Sequence, residues 1–397
     1  MINTARLLEN LKNIGDIGRE ATGGITRLAY SKVYFEALYE LKKLVKKKGY
    51  AVQQDPVGNL FVTYNPNKSE TFIMVGSHLD TVRNGGLYDG ALGVFAGLEV
   101  LDTIQAENIP LKHGLILAVF NAEEGGEMGG TFGSRAISGA VDFDDPNLAE
   151  KLSHYVLTEQ DVKASEWDFA NIKAFVELHI EQGSYLVDNQ YEIGVVEGIV
   201  AIYRYDFHLY GTSNHAGTTP MDGRDDPIPK MSKFIQHLYQ IAEDYIHPFV
   251  MTVGNIAVKP GMYNVIPNEA VVQMEIRDID AAHLTDFIEK VEAYLLNHVE
   301  QYKVVKNVEK ATSFMHPEVV QAIEMAADEA DYHYVLMSSG AGHDANPISK
   351  KVPTGMIFVP SVGGISHSPA EFTSNEQIEK GTNTLLQTVV KLDNDFE

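Results

Sequence analysis

Five separate segments of this chain each contain a residue type that binds divalent metal ions. They are His78 in GSHLD, Asp89 in YDGALG, Glu124 in NAEEG, His179 in ELHIEQG and His367 in ISHSPAE. The chain has no cysteine, so imidazole and carboxylate are its metal-binding groups, and this set favours zinc, manganese or cobalt over iron–sulfur chemistry. The five segments supply ligands for two ions if the carboxylate of Asp89 bridges them. We therefore predict a dinuclear site.

Two carboxylates beside these ligands are candidates for catalytic roles. Asp80 lies two residues after His78, on the same face of an extended chain, where it can orient the imidazole; a plain buried His–Asp hydrogen bond is the alternative. Glu123 directly precedes Glu124, so the two side chains diverge. A carboxylate one step from a metal ligand is typical of the base that deprotonates a bound water. We assign Glu123 as base and Glu124 as ligand. For Asp89 the alternative is capping of the helix that follows it.

The ligand segments follow apolar runs, as residues do at the strand ends of an open α/β sheet. FIMV (72–75) leads to His78, LILAVF (115–120) to Glu123 and Glu124, AFVEL (174–178) to His179, and MIFV (356–359) to the loop of His367. Because ligands bind at the carboxyl ends of such strands, we expect four strand ends to converge on one site. Helices predicted at 31–48 and 91–105 alternate with these strands, which indicates a mostly parallel sheet covered on both faces.

The chain between 201 and 314 follows another pattern. It reads strand (201–211), helix (226–245), strand (251–258), strand (270–278), helix (281–300) and strand (302–309), which is the βαββαβ order of a ferredoxin-like unit. Helices at 317–331 and 375–392 then resume the first pattern. We therefore predict a discontinuous catalytic domain, 1–200 and 315–397, interrupted by a second domain at 201–314. The polar segment 140–172 is expected to form a short helical excursion or a lid.

Candidate substrate-binding residues lie in both predicted domains. They are Gln182 and Gly364 beside the metal-ligand segments and His215, Asn264 and Arg277 in the insertion. The planar guanidinium of Arg277 suits a carboxylate, and an ion pair to Asp278 or Asp280 is the alternative. We also assign His215, which lies in the polar turn GTSNHAGTTPM, a catalytic part in stabilising an oxyanion.

Composition and charge exclude several classes of protein. The formal net charge of −24 argues against a nucleic-acid partner, whose phosphates require a basic surface. No stretch approaches the roughly 18 uninterrupted apolar residues of a membrane span, and the N-terminus lacks the apolar core of a signal peptide. We expect a cytoplasmic enzyme with no nucleic-acid and no membrane partner. Two dications would outweigh the charges of Asp89 and Glu124, so an anionic substrate is compatible with the acidic chain.

In combination, the motifs of this chain resemble those of one enzyme group. The segments SHLDTV, DGALGV, AEEG, VELHIEQG, NHAGTTPM, SGAGHDA and GISHSPAE are similar to those of the hydantoinase/carbamoylase group of dinuclear zinc amidohydrolases, within the aminoacylase and zinc-aminopeptidase superfamily. The resemblance runs from about residue 24 to SHSPAEFTS, essentially the whole chain. It implies a zinc-peptidase-like catalytic domain with an inserted dimerisation domain, and a homodimer formed through 201–314.

The resemblance also implies roles for the site residues. One zinc is expected at His78, Asp89 and His179, and the other at Asp89, Glu124 and His367, with Glu123 as base. Substrate would be bound by His215, Asn264 and Arg277, the first two entering from the partner subunit's inserted domain. Relatives that cleave peptides place a carboxylate at the position of His179, so the histidine favours a small anionic ureido substrate.

We expect hydrolysis of the ureido C–N bond of N-carbamoyl-L-amino acids to amino acid, ammonia and carbon dioxide. Zinc is the first candidate for both ions, with manganese, cobalt or nickel as alternatives. The nearest alternative activity is that of an allantoate amidohydrolase, and a further one is that of an aminoacylase or dipeptidase. A catalytically silent homologue would have lost the base, whereas Glu123 and all five ligands are present. Glu127 and Met128 stand where the family usually carries an Arg-Phe pair, which leaves the substrate open.

Overall fold

The computed structural model describes residues 1–395, which divide into two compact units. The first unit comprises Met1–Glu197 and the chain from Phe314 onward, and the second is Gly198–Ser313. These limits differ by a few residues from the predicted domains 1–200 with 315–397 and 201–314. None of the helices in the described residues combines the length and the apolarity that a membrane crossing requires.

The described residues form helices and strands of both domains in a mixed order. The helices are α1 (Thr4–Gly15), α2 (Lys32–Lys47), α3 (Ala91–Ala106), α4 (Phe132–Ile137), α5 (Leu148–His154), α6 (Glu159–Ala164), α7 (Tyr185–Asp188), α8 (Pro227–Ala242), α9 (Ala281–His298), α10 (Pro317–Glu329), α11 (Ala345–Ile348) and α12 (Asn375–Asp395). The strands are β1 (Ala51–Gln54), β2 (Leu60–Tyr64), β3 (Phe72–His78), β4 (Gly114–Phe120), β5 (Ile172–Ile180), β6 (Ile193–Ile199), β7 (Ala201–Tyr210), β8 (Val250–Lys259), β9 (Glu269–Asp278), β10 (Tyr302–Lys310), β11 (Ser313–Phe314), β12 (Tyr334–Ser339) and β13 (Thr354–Val359).

The first unit is built on a sheet with the strand order β1-β2-β4-β3-β5-β13-β6-β11, and β12 pairs with β6. Its four central strands are parallel, since β3 pairs with β4 and β5 and β13 pairs with β5 in that sense. The flanking strands β2 and β6 run antiparallel to their neighbours β4 and β13. Every residue of β4 is buried, as expected of a strand covered on both faces. The predicted α/β class with a mostly parallel central sheet is confirmed.

The helices that cover this sheet share one hydrophobic core with it. Helix α3 packs on β3 and β5, while α12 packs on β13 and α10. Helix α3 is buried along nearly its whole length, which explains its apolar sequence ALGVFAGLEVL and its lack of a polar face. The segment 140–172 forms the short helices α5 and α6, whose apolar residues pack with Met128 and Phe132 in a separate small cluster.

The parallel arrangement sets where the ligand segments end. His78 is the last residue of β3, Glu123 follows β4, and His179 is the penultimate residue of β5. The loop of His367 follows β13. Because β4, β3, β5 and β13 are neighbours in this order, their carboxyl ends lie along one edge of the sheet.

The second unit has the predicted βαββαβ order. Strands β7, β8, β9 and β10 form an antiparallel sheet in the order β10-β7-β9-β8. Helices α8 and α9 pack on it around a core that includes Phe207, Phe234 and Phe287. Residues of β7 and β9 alternate between this core and a polar face, as in a sheet with one solvated side.

Candidate metal centre

Two histidines at strand ends have their imidazole orientation fixed by the main chain. Nδ1 of His78 lies 3.0 Å from the carbonyl oxygen of Asp80, and Nδ1 of His179 lies 2.9 Å from that of Ile180. Nδ1 therefore donates in both rings, so Nε2 is the nitrogen whose lone pair suits a metal. In His179 this Nε2 accepts the main-chain N–H of Gly90 at 3.2 Å. Both Nε2 atoms face Asp89, at 3.6 Å for His78 and 3.1 Å for His179.

The carboxylate of Asp89 presents its two oxygens to different groups of residues. Oδ1 is the oxygen that faces His78 and His179, whereas Oδ2 lies 3.2 Å from Nε2 of His367. Nε2 of His367 is also 3.2 Å from Oε2 of Glu124. Among residues 1–395, two sets of metal-ligand type have donor atoms within 4.8 Å of one another: His78, Asp89 and His179, and Asp89, Glu124 and His367. The structure thus places Asp89 between two groups of donors.

Gly90 allows the ring of His78 to approach this loop. A Cβ at position 90 would lie 2.4 Å from the imidazole of His78, and Gly90 has φ +62°. Only glycine fits such a position. Gly90 is also the N-cap of α3, which has no side-chain cap hydrogen bond. The carboxylate of Asp89 is therefore not a helix cap, and the alternative considered for it from the sequence is not observed.

The spacing and chemistry of both groups fit divalent cations. Bonds of about 2.0–2.1 Å in a tetrahedral site separate neighbouring donors by about 3.4 Å, and the distances from Asp89 to its three histidines lie between 3.1 and 3.6 Å. In addition, Oε1 of Glu124 is buried and has no hydrogen-bond partner among the described residues, and such atoms are usually satisfied by an ion or water. Three imidazoles and two carboxylates suit zinc, manganese, cobalt or nickel.

Mutual charges shift the pKa values of these groups strongly. Burial lowers the pKa of His78, but the charges of Glu123, Asp89 and Asp80 outweigh it and raise that pKa well above its usual value. Hydrogen bonds to Asp89 and Glu124 raise the pKa of His367 to about 10. Burial would raise the pKa of Asp89, yet hydrogen bonds from the three histidines hold it well below the usual range. These opposite shifts have one cause, the mutual attraction of imidazoles and carboxylates packed around Asp89.

Glu123 lies beside the donors without belonging to either group. Its Oε2 is 3.7 Å from Nε2 of His78. Burial, with further contributions from Asp344, Glu124 and Asp80, raises the pKa of the Glu123 carboxyl well above its ordinary value, although His78 opposes the shift. A carboxylate with a raised pKa next to a metal group has the properties of a general base.

Asp80 orients His78 through a different group from the one predicted. Its carboxylate lies 3.8 Å from Nδ1 of His78, which is too far for a hydrogen bond, so its main-chain carbonyl orients this ring instead. The carboxylate accepts the main-chain N–H groups of Glu123 at 3.2 Å and Glu124 at 3.1 Å. Asp80 therefore holds the segment that carries Glu123 and Glu124. This contact is possible because Asp80 follows β3 and that segment follows the neighbouring strand β4.

Gln182 is anchored on the shared carboxylate. Its Nε2 donates to Oδ2 of Asp89 at 3.0 Å, while its Oε1 is buried and has no partner among residues 1–395. Gly364 lies in the loop before His367 with φ +65°, and a Cβ there would come within 3.0 Å of the Ser184 main chain. The structure thus places both predicted residues on the first unit, in the segments that carry His179 and His367.

The predicted residues of the second unit lie on its surface. His215 forms an isolated bridge with Val265, and the carbonyl of Asn264 accepts the N–H of Ala216 at 3.0 Å. His215 and Asn264 are therefore neighbours within this unit.

Arg277 corrects one expectation from the sequence. Its Nε pairs with Oε1 of Glu275 at 2.7 Å, whereas the alternative drawn from the sequence named Asp278 or Asp280. Residues two apart on a strand share a face, whereas Asp278 is buried on the other side of β9. Glu275 is thus an ion-pair partner of Arg277, and Arg204 also contacts Glu275 at 2.6 Å.

Glu127 and Met128 have local partners in the structure. Oε2 of Glu127 lies 2.6 Å from Nδ1 of His154, and this hydrogen bond raises the pKa of the histidine. Met128 is buried in the small cluster with Phe132. Next to them, residues including Tyr30, Arg83, Glu124 and Tyr155 line a cavity of about 540 Å³. His154, the partner of Glu127, and Glu124 of the second group of donors both line this cavity.

Two buried residues of this centre have no role in the sequence-based assignment. The rings of His343 and His179 lie 4.5 Å apart in an edge-to-face arrangement, and Glu371 accepts the N–H of Asp89. His343 stands in a glycine-rich loop and Glu371 in the motif of His367. Both positions lie inside motifs of the sequence, but their partners are remote in the chain, so local spacing does not reveal these contacts.

Comparisons with known proteins show the family of the chain. The sequence model of Peptidase family M20/M25/M40 matches residues 74–391. An N-carbamoyl-L-amino-acid amidohydrolase of Pseudomonas sp. (strain NS671) is 33% identical over 410 aligned residues, which cover 98% of each chain. The chain belongs to Peptidase family M20/M25/M40.

Two further relatives agree with the hydantoinase/carbamoylase group. The allantoate amidohydrolase of Escherichia coli (strain K12) is 34% identical over 400 residues and 97% of each chain. The crystal structure of a hydantoinase/carbamoylase family amidase from Burkholderia ambifaria has a TM-score of 0.87 at 28% identity and covers 98% of each chain. The protein is thus a hydrolase of carbon–nitrogen bonds, from a metal-dependent family whose sites are typically dinuclear, with two groups of candidate ligands.

Proposed function

We propose that this enzyme hydrolyses the ureido C–N bond of N-carbamoyl-L-amino acids to the free amino acid, ammonia and carbon dioxide. The observation that carries the proposal is the unpartnered Oε1 of Gln182. Its Nε2 is committed to the carboxylate of Asp89, so the amide is held with its oxygen available as an acceptor. A carbamoyl group has a terminal NH₂ that donates to such an acceptor, whereas the methyl of an acetyl group does not. A site that hydrogen-bonds a substrate group discriminates against analogues that lack it.

The reaction uses the residues of the first unit in separate roles. Divalent ions bound by the two groups of donors would lower the pKa of water and polarise the carbamoyl oxygen. Glu123 takes the proton of the attacking water and transfers it to the leaving nitrogen. The water oxygen bonds to the carbamoyl carbon, the bond to the amino-acid nitrogen breaks, and the released carbamate gives ammonia and carbon dioxide. The carboxylate of Asp80 keeps Glu123 in place by accepting the main-chain N–H of Glu123.

The substrate is anionic in this proposal, and the second unit supplies its other contacts. Arg277 and Asn264 hold the carboxylate of the amino acid, and His215 stabilises the oxyanion. In line with the resemblance, the enzyme acts as a homodimer through 201–314, with His215 and Asn264 supplied by the partner subunit. Zinc is the first candidate metal, with manganese, cobalt or nickel as alternatives, and the enzyme works in the cytoplasm without a nucleic-acid or membrane partner.

Allantoate is the second candidate substrate. It also ends in ureido groups, so the Oε1 of Gln182 would serve it equally, and an allantoate amidohydrolase is among the relatives of this chain. The Glu127–His154 pair beside the 540 Å³ cavity is where the two substrates would differ in their contacts, because allantoate carries a second ureido group in place of a side chain.

The test is ammonia or amine release by zinc- or manganese-loaded enzyme on N-carbamoyl-L-amino acids, N-carbamoyl-β-alanine, allantoate and N-acetyl-L-amino acids. We expect carbamoyl substrates to exceed their acetyl counterparts in kcat/KM. The Gln182→Met variant should reduce this preference about tenfold, the value of one hydrogen bond of about 1.4 kcal/mol. Gln190→Met is the matched control, since Gln190 has φ 61° and Gln182 has φ 62° but Gln190 is exposed. Equal activity on acetyl and carbamoyl compounds would overturn the proposal, and activity on allantoate alone would replace it by the second candidate.

A further inference from the structure

Glu371 is a buried carboxylate that the proposed reaction does not use. It follows His367 by four residues and is 6% exposed. Its Oε1 accepts the main-chain N–H of Tyr88 at 2.8 Å and that of Asp89 at 3.0 Å. Its Oε2 lies 2.9 Å from the hydroxyl of Ser366. One carboxylate therefore joins the loop that carries Asp89 to the residue next to His367.

The chain before Asp89 is shaped around this carboxylate. A Cβ on Gly86 would lie 2.0 Å from Oε1 of Glu371, so the loop approaches the carboxylate as closely as a glycine permits. The hydroxyl of Ser366 is also 3.1 Å from Oδ2 of Asp89, the oxygen that faces His367. Glu371 thus contacts both the loop of Asp89 and the residue next to His367, and Asp89 and His367 both belong to the second group of donors.

His367 depends on such support more than the other histidines do. His78 and His179 lie on strands and are 1% exposed, which fixes their positions through the sheet. The side chain of His367 is 50% exposed, and the residue lies in a loop with φ 54°, a conformation that is unfavourable for a residue with a side chain. A loop in this conformation persists only where neighbouring contacts hold it.

We propose that Glu371 is a positioning residue that holds Asp89 and His367 in register for the second metal ion. The proposal rests on the metal groups of the proposed function and is independent of the substrate. Residues that orient metal ligands typically contribute about 10- to 100-fold to metal affinity. Loss of Glu371 should therefore weaken the group of Asp89, Glu124 and His367 by about this factor, and the group of His78, Asp89 and His179 by less.

The experiment measures zinc binding to the metal-stripped full-length chain by competition with a chromophoric chelator, with native mass spectrometry to count bound ions. We expect two zinc ions on the wild type. Glu371→Ala should lose one at zinc concentrations that saturate the wild type. In Glu371→Gln the amide oxygen still accepts from Tyr88 and Asp89 and its NH₂ can donate to Ser366, so this variant should stay within a few-fold of the wild type.

A matched control separates positioning from general stability. Asp393 is a buried carboxylate of α12 that accepts the main-chain N–H groups of Lys112 at 2.9 Å and His113 at 2.8 Å, away from the donors. Asp393→Ala should lower the melting temperature while keeping both zinc ions. Ser366→Ala removes the hydroxyl that contacts Glu371 and Oδ2 of Asp89 and keeps the Glu371 contacts to Tyr88 and Asp89. It should weaken the second ion selectively, and it takes the place of Glu371→Ala if that variant does not fold.

Three outcomes would overturn the proposal. They are full zinc occupancy in Glu371→Ala and Ser366→Ala, equal loss in Glu371→Gln and Glu371→Ala, and equal loss in Asp393→Ala. Failure of the wild type to bind two ions would overturn it together with the metal groups. A wild type that binds two ions but cleaves no ureido compound would contradict only the proposed substrate.

Discussion

Replacement of Gly90 by alanine tests the geometry of the metal centre without replacing a ligand. A Cβ at position 90 would lie 2.4 Å from Cε1 and Nε2 of His78, and Nε2 is the atom that faces Asp89. The methyl group therefore has to displace the imidazole, the loop, or both. We expect Gly90→Ala to lose the ion of His78, Asp89 and His179 and to lower the free energy of unfolding.

The size of the stability loss has two parts. Gly90 has φ 62° and ψ −50°, and a strained backbone at a residue with a side chain costs about 1–3 kcal/mol. Overpacking against His78 adds about 1–3 kcal/mol. We expect a total of about 2–6 kcal/mol for Gly90→Ala. Gly49 has φ +87° and no heavy atom within 4 Å of its ideal Cβ, so Gly49→Ala should show the backbone part alone, about 1–3 kcal/mol.

The assay is urea unfolding followed by circular dichroism, combined with zinc content after dialysis. Gly49→Ala should retain both zinc ions, while Gly90→Ala should retain fewer and unfold at lower urea. If Gly90→Ala bound zinc like the wild type and lost no more stability than Gly49→Ala, the close approach of His78 to this loop would be refuted.

Two further predictions concern single carboxyl groups. Glu123→Gln removes the proton acceptor but keeps the size of the side chain, so turnover should fall about 100- to 10,000-fold with zinc content unchanged; activity at the wild-type level would eliminate Glu123 as the base. Burial raises the pKa of the Asp55 carboxyl to about 7 in spite of hydrogen bonds from Asn59. Because this value exceeds the pKa of about 3.9 in an unfolded chain, the stability that Asp55 contributes is complete below about pH 4 and is lost as the pH rises through about 7. The free energy of unfolding of metal-stripped protein, measured with urea between pH 4 and 8, should therefore fall more steeply with pH for the wild type than for Asp55→Asn. Parallel curves for the two proteins would contradict the raised pKa of Asp55.

The ligand-bearing strands could be predicted because their sequences are continuous apolar runs. FIMV, LILAVF, AFVEL and MIFV lie in β3, β4, β5 and β13, which are buried between helices, and that environment selects such runs. The short strands β1 and β11, at the two ends of the sheet, were not predicted, since a few residues at an edge carry little periodic signal.

Partners of single side chains were predicted less well than elements. The sequence-based alternative for Arg277 named Asp278 and Asp280, whereas the structure pairs Arg277 with Glu275, because residues two apart on a strand share a face. For Asp80, the i,i+2 spacing correctly placed the residue near His78, but the orienting hydrogen bond uses its main-chain carbonyl. Sequence spacing specifies a shared face, whereas the choice of partner depends on rotamers and on neighbouring strands.

The sequence by itself determined which residue types could bind metal, that strand ends would carry them, and that a βαββαβ unit interrupts the first domain, because these features are written in local patterns. Only the tertiary structure decided that the two oxygens of Asp89 face different groups of donors and that Gln182 is anchored on Asp89. It also decided that Glu371 joins the loop of Asp89 to that of His367. Tyr88 and Glu371 are 283 residues apart in the chain. Their contact follows from the order of the parallel strands in the sheet, which no local pattern encodes.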